Sequence, residues 1–171
     1  VAICTCTLHI SDKMKARDEL ANAGITLLDT PVSGTTVSAT NDYQVANTAF
    51  AGIGNTATTA AGRDVAYSFT APTAGDYSFK VTQFIGSNAV LYLASSCPTG
   101  TIPITVTTLA GANRTTTNGS FTSEEIPCFA MTAGQTVFVF VDETTALGGS
   151  FRLEVNRCTK ETEPNGTPAT A

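Results

Sequence analysis

From Thr35 onward, apolar and polar residues alternate in short runs that turn-forming residues interrupt. In DVAYSFTAP the side chains of Val65, Tyr67 and Phe69 share one face. In AGDYSFKVTQF a turn at Gly75-Asp76 is followed by Tyr77, Phe79 and Val81 on one side. GSFRLEVNR sends Phe151, Leu153 and Val155 inward and Arg152, Glu154 and Asn156 outward. A period of two belongs to strands that are half buried against a core. NAVLYLASS and QTVFVFVDE are apolar at both phases, as central strands of a two-layer fold would be. TIPITVTTL is a further strand, with Pro103 suited to an edge or a bulge. Many short strands separated by Gly/Pro turns predict a mainly β chain, an antiparallel β-sandwich or jelly roll over residues 35–158.

The two ends follow other rules. VAICTCTL is strand-like, Ser11 stands as an N-cap before DKMKARDELANA, Gly24 is placed as a stop, and ITLLD is a second strand. Residues 1–34 therefore read as a short βαβ-like appendage. Such a unit cannot bury its helix and both sheet faces alone, so it is expected to pack on the sandwich or on another chain. Residues 159–171, TKETEPNGTPATA after Cys158, are polar and Pro/Thr-rich and read as a linker or the start of a following module.

Only 13% of the residues are charged against 42% hydrophobic, Trp is absent and the net charge is -5. That is about half the usual charged share, a palette of secreted or cell-surface β-proteins. Nine Lys and Arg, scattered along the chain, form no basic stripe for a phosphate backbone, so nucleic acid is not an expected partner. No apolar run approaches the ~20 residues of a membrane span. No basic stretch ahead of VAICTCTLHI marks a signal peptide, and the first residue, Val1, fits a processed or excerpted chain. The five cysteines (4, 6, 97, 128 and 158) form no Cys-x-x-Cys pair, and His9 is the only histidine, which excludes a zinc module. In an exported β-chain Cys97 and Cys128 are expected to form a disulfide. Cys158 is then unpaired, or bonded to Cys4, Cys6 or another chain.

Candidate chemistry is sparse. GIGNTA at residues 52–57 fits the glycine pattern of a dinucleotide loop, but no buried parallel strand precedes it and no good helix follows. No Gly-x-Ser-x-Gly elbow accompanies the lone His9. Glu124-Glu125 and Asp142-Glu143 are neighbours on strands and point to opposite faces, so neither is an acid/base dyad. Asp142, Asp42 and Asp64 read as turn formers rather than ligands. Asn113, Asn118 and Asn165 stand in Asn-x-Ser/Thr sequons, acceptors only in a host that glycosylates.

Two resemblances add to this reading. DVAYSFTAPTAGDYSFKV, AVLYLASSC, MTAGQTVFVFVDE and GGSFRLEV, in that order, resemble the bacterial pre-peptidase C-terminal (PPC) domain family over residues 35–158. The resemblance implies a β-sandwich appended to secreted peptidases and other exported proteins, without catalysis of its own. ETEPNGTPATA resembles the N-terminal signature of such a module, in which hard oxygen ligands on an extended segment hold calcium. Glu161, Glu163 and Asn165 match that pattern, and Gly166 stands where an Asp belongs. CTLHISDKMKARDELANAGITLLDTPVSGT, by contrast, is similar to an internal stretch of the β-hydroxyacid dehydrogenases, whose Pro-Val-Ser-Gly turn lies near substrate and would carry over as Ser33 and Gly34. No counterpart of that family's catalytic Lys is present, since Lys80 lies on a strand and Lys160 in the tail.

The expected function is that of a secreted, non-enzymatic accessory or adhesive module. Calcium is its candidate cofactor, and its partner is an extracellular polymer or protein bound along an exposed sheet face through Tyr43, Tyr77 or Tyr92. The alternative is a structural repeat of an extracellular fibre or surface layer, in which the chain's partner is another copy of itself.

Overall fold

The computed structural model describes residues 29–46, 50–51, 56–84, 88–115 and 122–158. The βαβ-like reading of residues 1–28, the tail from 159, and Asn118 lie outside them. The described strands are β1 (Val32–Thr35), β2 (Tyr43–Gln44), β3 (Val65–Thr70), β4 (Gly75–Gln83), β5 (Ala89–Ala94), β6 (Ile104–Thr105), β7 (Ala110–Ala112), β8 (Ser123–Met131), β9 (Thr136–Glu143) and β10 (Ser150–Arg157). They form two four-stranded antiparallel sheets, β1-β10-β4-β8 and β3-β9-β5-β7, and a parallel pair of β2 with β6. No helix occurs among the described residues. The chain is an antiparallel β-sandwich, as the alternation predicts.

The expected inward faces meet in the interior. Val65, Tyr67 and Phe69 of β3, Tyr77, Phe79 and Val81 of β4, and Phe151, Leu153 and Val155 of β10 pack with Leu91 and Leu93 of β5 and with Val137, Val139 and Val141 of β9. Phe69 makes edge contacts with Tyr77 and Phe79 at centroid separations of 5.3 and 5.6 Å. The turn before β4 falls at residues 72–74, slightly earlier than the sequence suggests, and the strand already begins at Gly75. The Tyr77 hydroxyl closes that turn by donating to Thr73 O at 2.7 Å. From TIPITVTTL only Ile104–Thr105 is strand, just after a cis Ile102-Pro103 bond.

The apolar second phase of β5 and β9 has its own partners. Val90, Tyr92, Ala94 and Phe140 face away from the main core and are sealed by Val45, Phe50, Ala60 and Val106. The segments on either side of the β2–β6 pair thus lie as a cap over the outer face of β3-β9-β5-β7 at β5 and Phe140 of β9, while Thr70 and Thr136 at the far end stay exposed. Gly111 of β7 belongs to the same packing, because a Cβ there would overlap the Phe50 ring.

The boundary at residue 34 moves. Val32, Ser33 and Gly34 are part of β1 and pair with Leu153, Arg152 and Phe151 of β10, so the Pro-Val-Ser-Gly stretch belongs to the sandwich and not to a preceding unit. Gly34 is required there by close approach, since a Cβ would come within 2.7 Å of Phe151 Cε2 and overlap the Tyr67 hydroxyl.

The disulfide expectation is corrected as well. Cys128 pairs with Cys158, not with Cys97. Cys128 has φ 46° at the point where β8 slips register against β4, between the pairs Tyr77–Phe129 and Phe79–Ile126. Cys158 follows the last residue of β10, and its N–H donates to Asp76 O of β4 at 2.8 Å. The bridge therefore links the two strands that flank β4. Cys97 is itself disulfide-bonded.

Gly34→Ala is expected to destabilise the fold by ~1–3 kcal/mol through overpacking, whereas Ser33→Ala on the exposed side of β1 stays within about 0.5 kcal/mol. Urea denaturation of the two variants measures both; equal midpoints would show that the Phe151 ring yields.

Candidate functional site

Period-two alternation places Asp142 of β9 on the capped face beside Phe140. Val65 pairs with Val141, so Asp64, one residue ahead of β3, falls opposite Asp142 on the same face. Both carboxyls are buried, Asp64 at 2% and Asp142 at 0% exposure. Tyr92 stacks on Phe140 (centroids 5.0 Å, planes 9° apart) and its hydroxyl donates to Asp142 Oδ2 at 2.8 Å. Asp142 Oδ1 accepts the Glu143 N–H at 2.7 Å. Asp64 Oδ2 accepts two backbone donors from the cap, Asp42 N–H at 2.7 Å and Tyr43 N–H at 2.9 Å. The cap continues from there: Ile104 N–H donates to Asp42 O and Val106 N–H to Gln44 O, both at 2.8 Å. The Tyr43 ring meets Phe140 edge-on at 5.0 Å, and its hydroxyl lies 3.6 Å from Cys97 Sγ, which as a disulfide sulfur accepts.

Two facing carboxyls out of water resist ionisation. Burial pushes Asp64 up to about 7; the Tyr43 and Asp42 N–H groups oppose this, and the Asp42 charge adds to it. Asp142 is held well above the carboxylate range, by burial first and by the Asp64 charge next, against the pull of the Tyr92 hydroxyl and the Glu143 N–H. Tyr92 is raised well above its ordinary value by burial and by the Asp142 charge. Perturbed acids often mark catalytic sites. Here the cap closes over them, so these groups hold a proton and a loop in place.

Two further buried acids tie loops to strands. Glu143 accepts Thr36 Oγ1–H through Oε1 and Asn88 N–H through Oε2, each at 2.9 Å. Glu124 accepts Arg114 N–H at 2.6 Å, Thr115 N–H at 2.8 Å and the Thr115 hydroxyl at 2.6 Å. Glu124 is buried and Glu125 half exposed, as the opposite-face reading requires. Asp64 shapes no turn of its own but ties the residues entering β2 to the start of β3, and Asp142 lies inside strand β9. Asn113 is buried with its amide donating to Thr56, so in the folded protein it is no glycan acceptor.

The tyrosine ligand face is corrected. Tyr77 and Tyr92 are fully buried, one in each core, and only Tyr43 is partly accessible. Glu161, Glu163 and Asn165 lie outside the described residues, and among the described residues no three His, Cys, Asp or Glu side chains converge on a metal position.

Among the described residues, the outer face of β1-β10-β4-β8 carries polar side chains along β10 and β4. Lys80 of β4 sits between Glu154 of β10 and Glu125 of β8 in register, and Arg152 lies between Ser33 and Thr82. Arg152 Nη2 and Glu154 form an ion pair at 2.6 Å. Flat, half-exposed and rich in donors and acceptors, this face carries no aromatic platform. The outward phase of GSFRLEVNR signals it in the sequence, although the tyrosines draw attention away from it.

A scan against models of known protein families finds no match, and neither does a search of curated proteins. Among solved structures the chain is similar to the pre-peptidase C-terminal domain of a collagenase from Bacillus anthracis, at 15% identity and a TM-score of 0.43, over 75% of this chain and 89% of that one. It is also similar to a family 35 carbohydrate-binding module from Cellvibrio japonicus, at 20% identity and a TM-score of 0.39, over 77% and 93%. A third likeness, at 16% identity and a TM-score of 0.36, is to a Podospora anserina β-(1,4)-mannanase that carries a family 35 module; it covers 78% of this chain and 29% of that one. The likeness is one of fold. The dehydrogenase resemblance of residues 4–35 gains no support from these matches, and its motif is strand β1.

The carboxyl pair sets a pH dependence. Asp64 binds its proton more tightly folded than unfolded, so its contribution is full below pH ~4 and is lost as pH rises through about 7. The melting temperature of the wild type should fall by several degrees between pH 4 and 8 relative to Asp64→Asn. Parallel profiles for the two proteins would refute the assignment.

Proposed function

We propose that the chain is a secreted, non-catalytic binding module that engages an extended polymer or protein partner along the open face of β1-β10-β4-β8. The observation that carries this reading is the asymmetry of the two sheets. Among the described residues, the outer face of β3-β9-β5-β7 is covered over Val90, Tyr92, Ala94 and Phe140, whereas Lys80, Arg152, Glu154 and Glu125 form a polar lattice on the other sheet. The Cys128–Cys158 bridge fits an oxidising compartment. The strongly perturbed acids Asp64 and Asp142 are enclosed and serve as anchors for the cap.

Recognition on such a face is by hydrogen bonds and charge rather than by stacking. An extended chain laid across the strands would meet Arg152, Thr82 and Lys80 in succession. Co-sedimentation with insoluble polymers (cellulose, mannan, collagen) tests this. Retention of the wild type should drop tenfold or more, about 1.4 kcal/mol, in Lys80→Ala/Arg152→Ala, with the melting temperature held. Retention that survives the double substitution would place binding elsewhere.

Calcium dependence belongs to the same proposal through Glu161, Glu163 and Asn165, whose oxygen ligands suit a hard cation. Millimolar Ca²⁺ should then raise the melting temperature of the wild type and leave that of Glu161→Gln/Glu163→Gln unmoved. Equal melting curves with and without Ca²⁺ in the wild type would remove calcium from the account.

A further inference from the structure

Each sheet has two edges, and three of the four edge strands are guarded. β1 is four residues long and follows Pro31. β7 is three residues long, and the segment beyond it is tied to Thr56. β8 carries Pro127, the charge of Glu125 and a register slip at Cys128. Short strands, prolines, charges and bulges are the devices that keep sheet edges from pairing with other chains.

Within its own six residues β3 has none of them, and the only loop tied to its edge is Thr40, at the flanking Asp64. VAYSFT is regular in register against β9 and free of proline, glycine and charge. The direction of its backbone groups follows from its two ends. Ala71 N–H donates to Gln135 O at 2.9 Å, so odd-numbered residues bond towards β9. Asp64 N–H, at an even position, points the other way, to Thr40 O at 3.1 Å. By alternation, Ala66, Ser68 and Thr70 present their N–H and C=O groups at the edge. Among the described residues only β9 bonds the backbone of β3.

We propose that β3 is a strand-addition edge whose partner is β3 of a second copy, paired antiparallel about Ser68. That register sets Ser68 opposite Ser68 and Ala66 opposite Thr70, so all the outward groups pair, giving about six hydrogen bonds. Only small side chains then line the new junction on the capped face. The new ladder stops short of Asp64, where Thr40 already occupies the edge, and the partner chain beyond it is Pro72 and Thr73, so no like charges meet, even in a chain of net charge -5. The ladder ends there without leaving a donor unmet: Pro72 has no N–H to offer, and the Asp64 N–H is already given to Thr40. The pairing is two-fold and closed, the commonest symmetry of homo-oligomers, and it joins two four-stranded sheets into one of eight.

Sedimentation equilibrium of the 171-residue chain, up to about 1 mM, reads the outcome. A reversible dimer is expected. Ser68→Pro removes an outward N–H without a bond to β9, and Thr70→Lys brings charge to the junction; each should weaken the dimer tenfold or more. Ser33→Lys, on the β1 edge, should leave it unchanged. Should Ser68→Pro fail to fold by circular dichroism, Thr70→Lys decides alone, supported by concentration-dependent exchange protection of the Ser68 and Thr70 amides. A chain that is monomeric throughout, a dimer indifferent to Thr70→Lys, or a dimer lost in Ser33→Lys overturns the proposal.

Discussion

The strands β5 and β9 are apolar at every position along most of their length, and a strand of that kind needs cover on both faces. The opposing sheet supplies one cover through Phe79, Val81, Phe151 and Leu153. The other has to come from chain that is not part of either sheet, because a two-layer sandwich has no third layer to offer. Val45, Phe50, Ala60 and Val106 meet that need from the segments around β2 and β6. Much of the rest follows from this second burial. The cap must be held down, its backbone donors need acceptors away from water, and the aromatic rings of the outer face are used up as packing.

Holding the cap is the task of the buried acids. An N–H removed from solvent without a partner costs about 1–3 kcal/mol, and the chain entering β2 brings two of them, from Asp42 and Tyr43, to one carboxyl oxygen of Asp64. Glu143 and Glu124 answer the same need at Asn88 and at Arg114–Thr115. Acceptance of several backbone donors is what a carboxyl does best, and each bond ties a loop to a strand. The cost arises where two such anchors fall opposite one another, as Asp64 and Asp142 do, and the raised proton affinity of both relieves it. A cluster with the electrostatics of an active site is thereby explained as an anchor.

The strands β3, β4, β5, β9 and β10 were legible in the sequence with their phase, because both depend on local alternation, whereas β2, β7 and the bulged β8, which lack a clean alternation, were not. Val65/Tyr67/Phe69, Tyr77/Phe79/Val81 and Phe151/Leu153/Val155 all point where the pattern sends them. What alternation cannot tell is whether the second face of an apolar strand is wet or covered. Tyr92 therefore read as a candidate contact, although it lies under loops that have no periodicity of their own. Tyr77 carries an equivalent ambiguity, because its hydroxyl suggests a wet tip and in fact closes a turn at Thr73. Disulfide partners depend on which strand ends meet. Cys128 and Cys158 meet because β8 and β10 flank β4, a relation of sheet order that spacing does not encode. The Pro-Val-Ser-Gly stretch misled for a similar reason: its glycine answers to the ring of Phe151, at the far end of the chain.

The same division of labour between the sheets bears on where a partner can bind. The cap takes up most of the outer face of β3-β9-β5-β7, so much of its remaining chemical freedom lies in its edges, where backbone groups are exposed whatever the side chains do. The other sheet keeps one face in water, and its chemistry is that of side chains: Arg152 and Glu154 paired, Lys80 flanked by acids. On the proposed readings, a partner recognised by side-chain hydrogen bonds would lie on the β10–β4 face, and one recognised by main-chain pairing would lie at β3. These sites lie on different sheets and use different groups. Occupation of one does not consume the other, so a self-paired module would still present two copies of its polar face to an extended ligand. Two weak faces held on one rigid body bind a polymer more tightly than either alone.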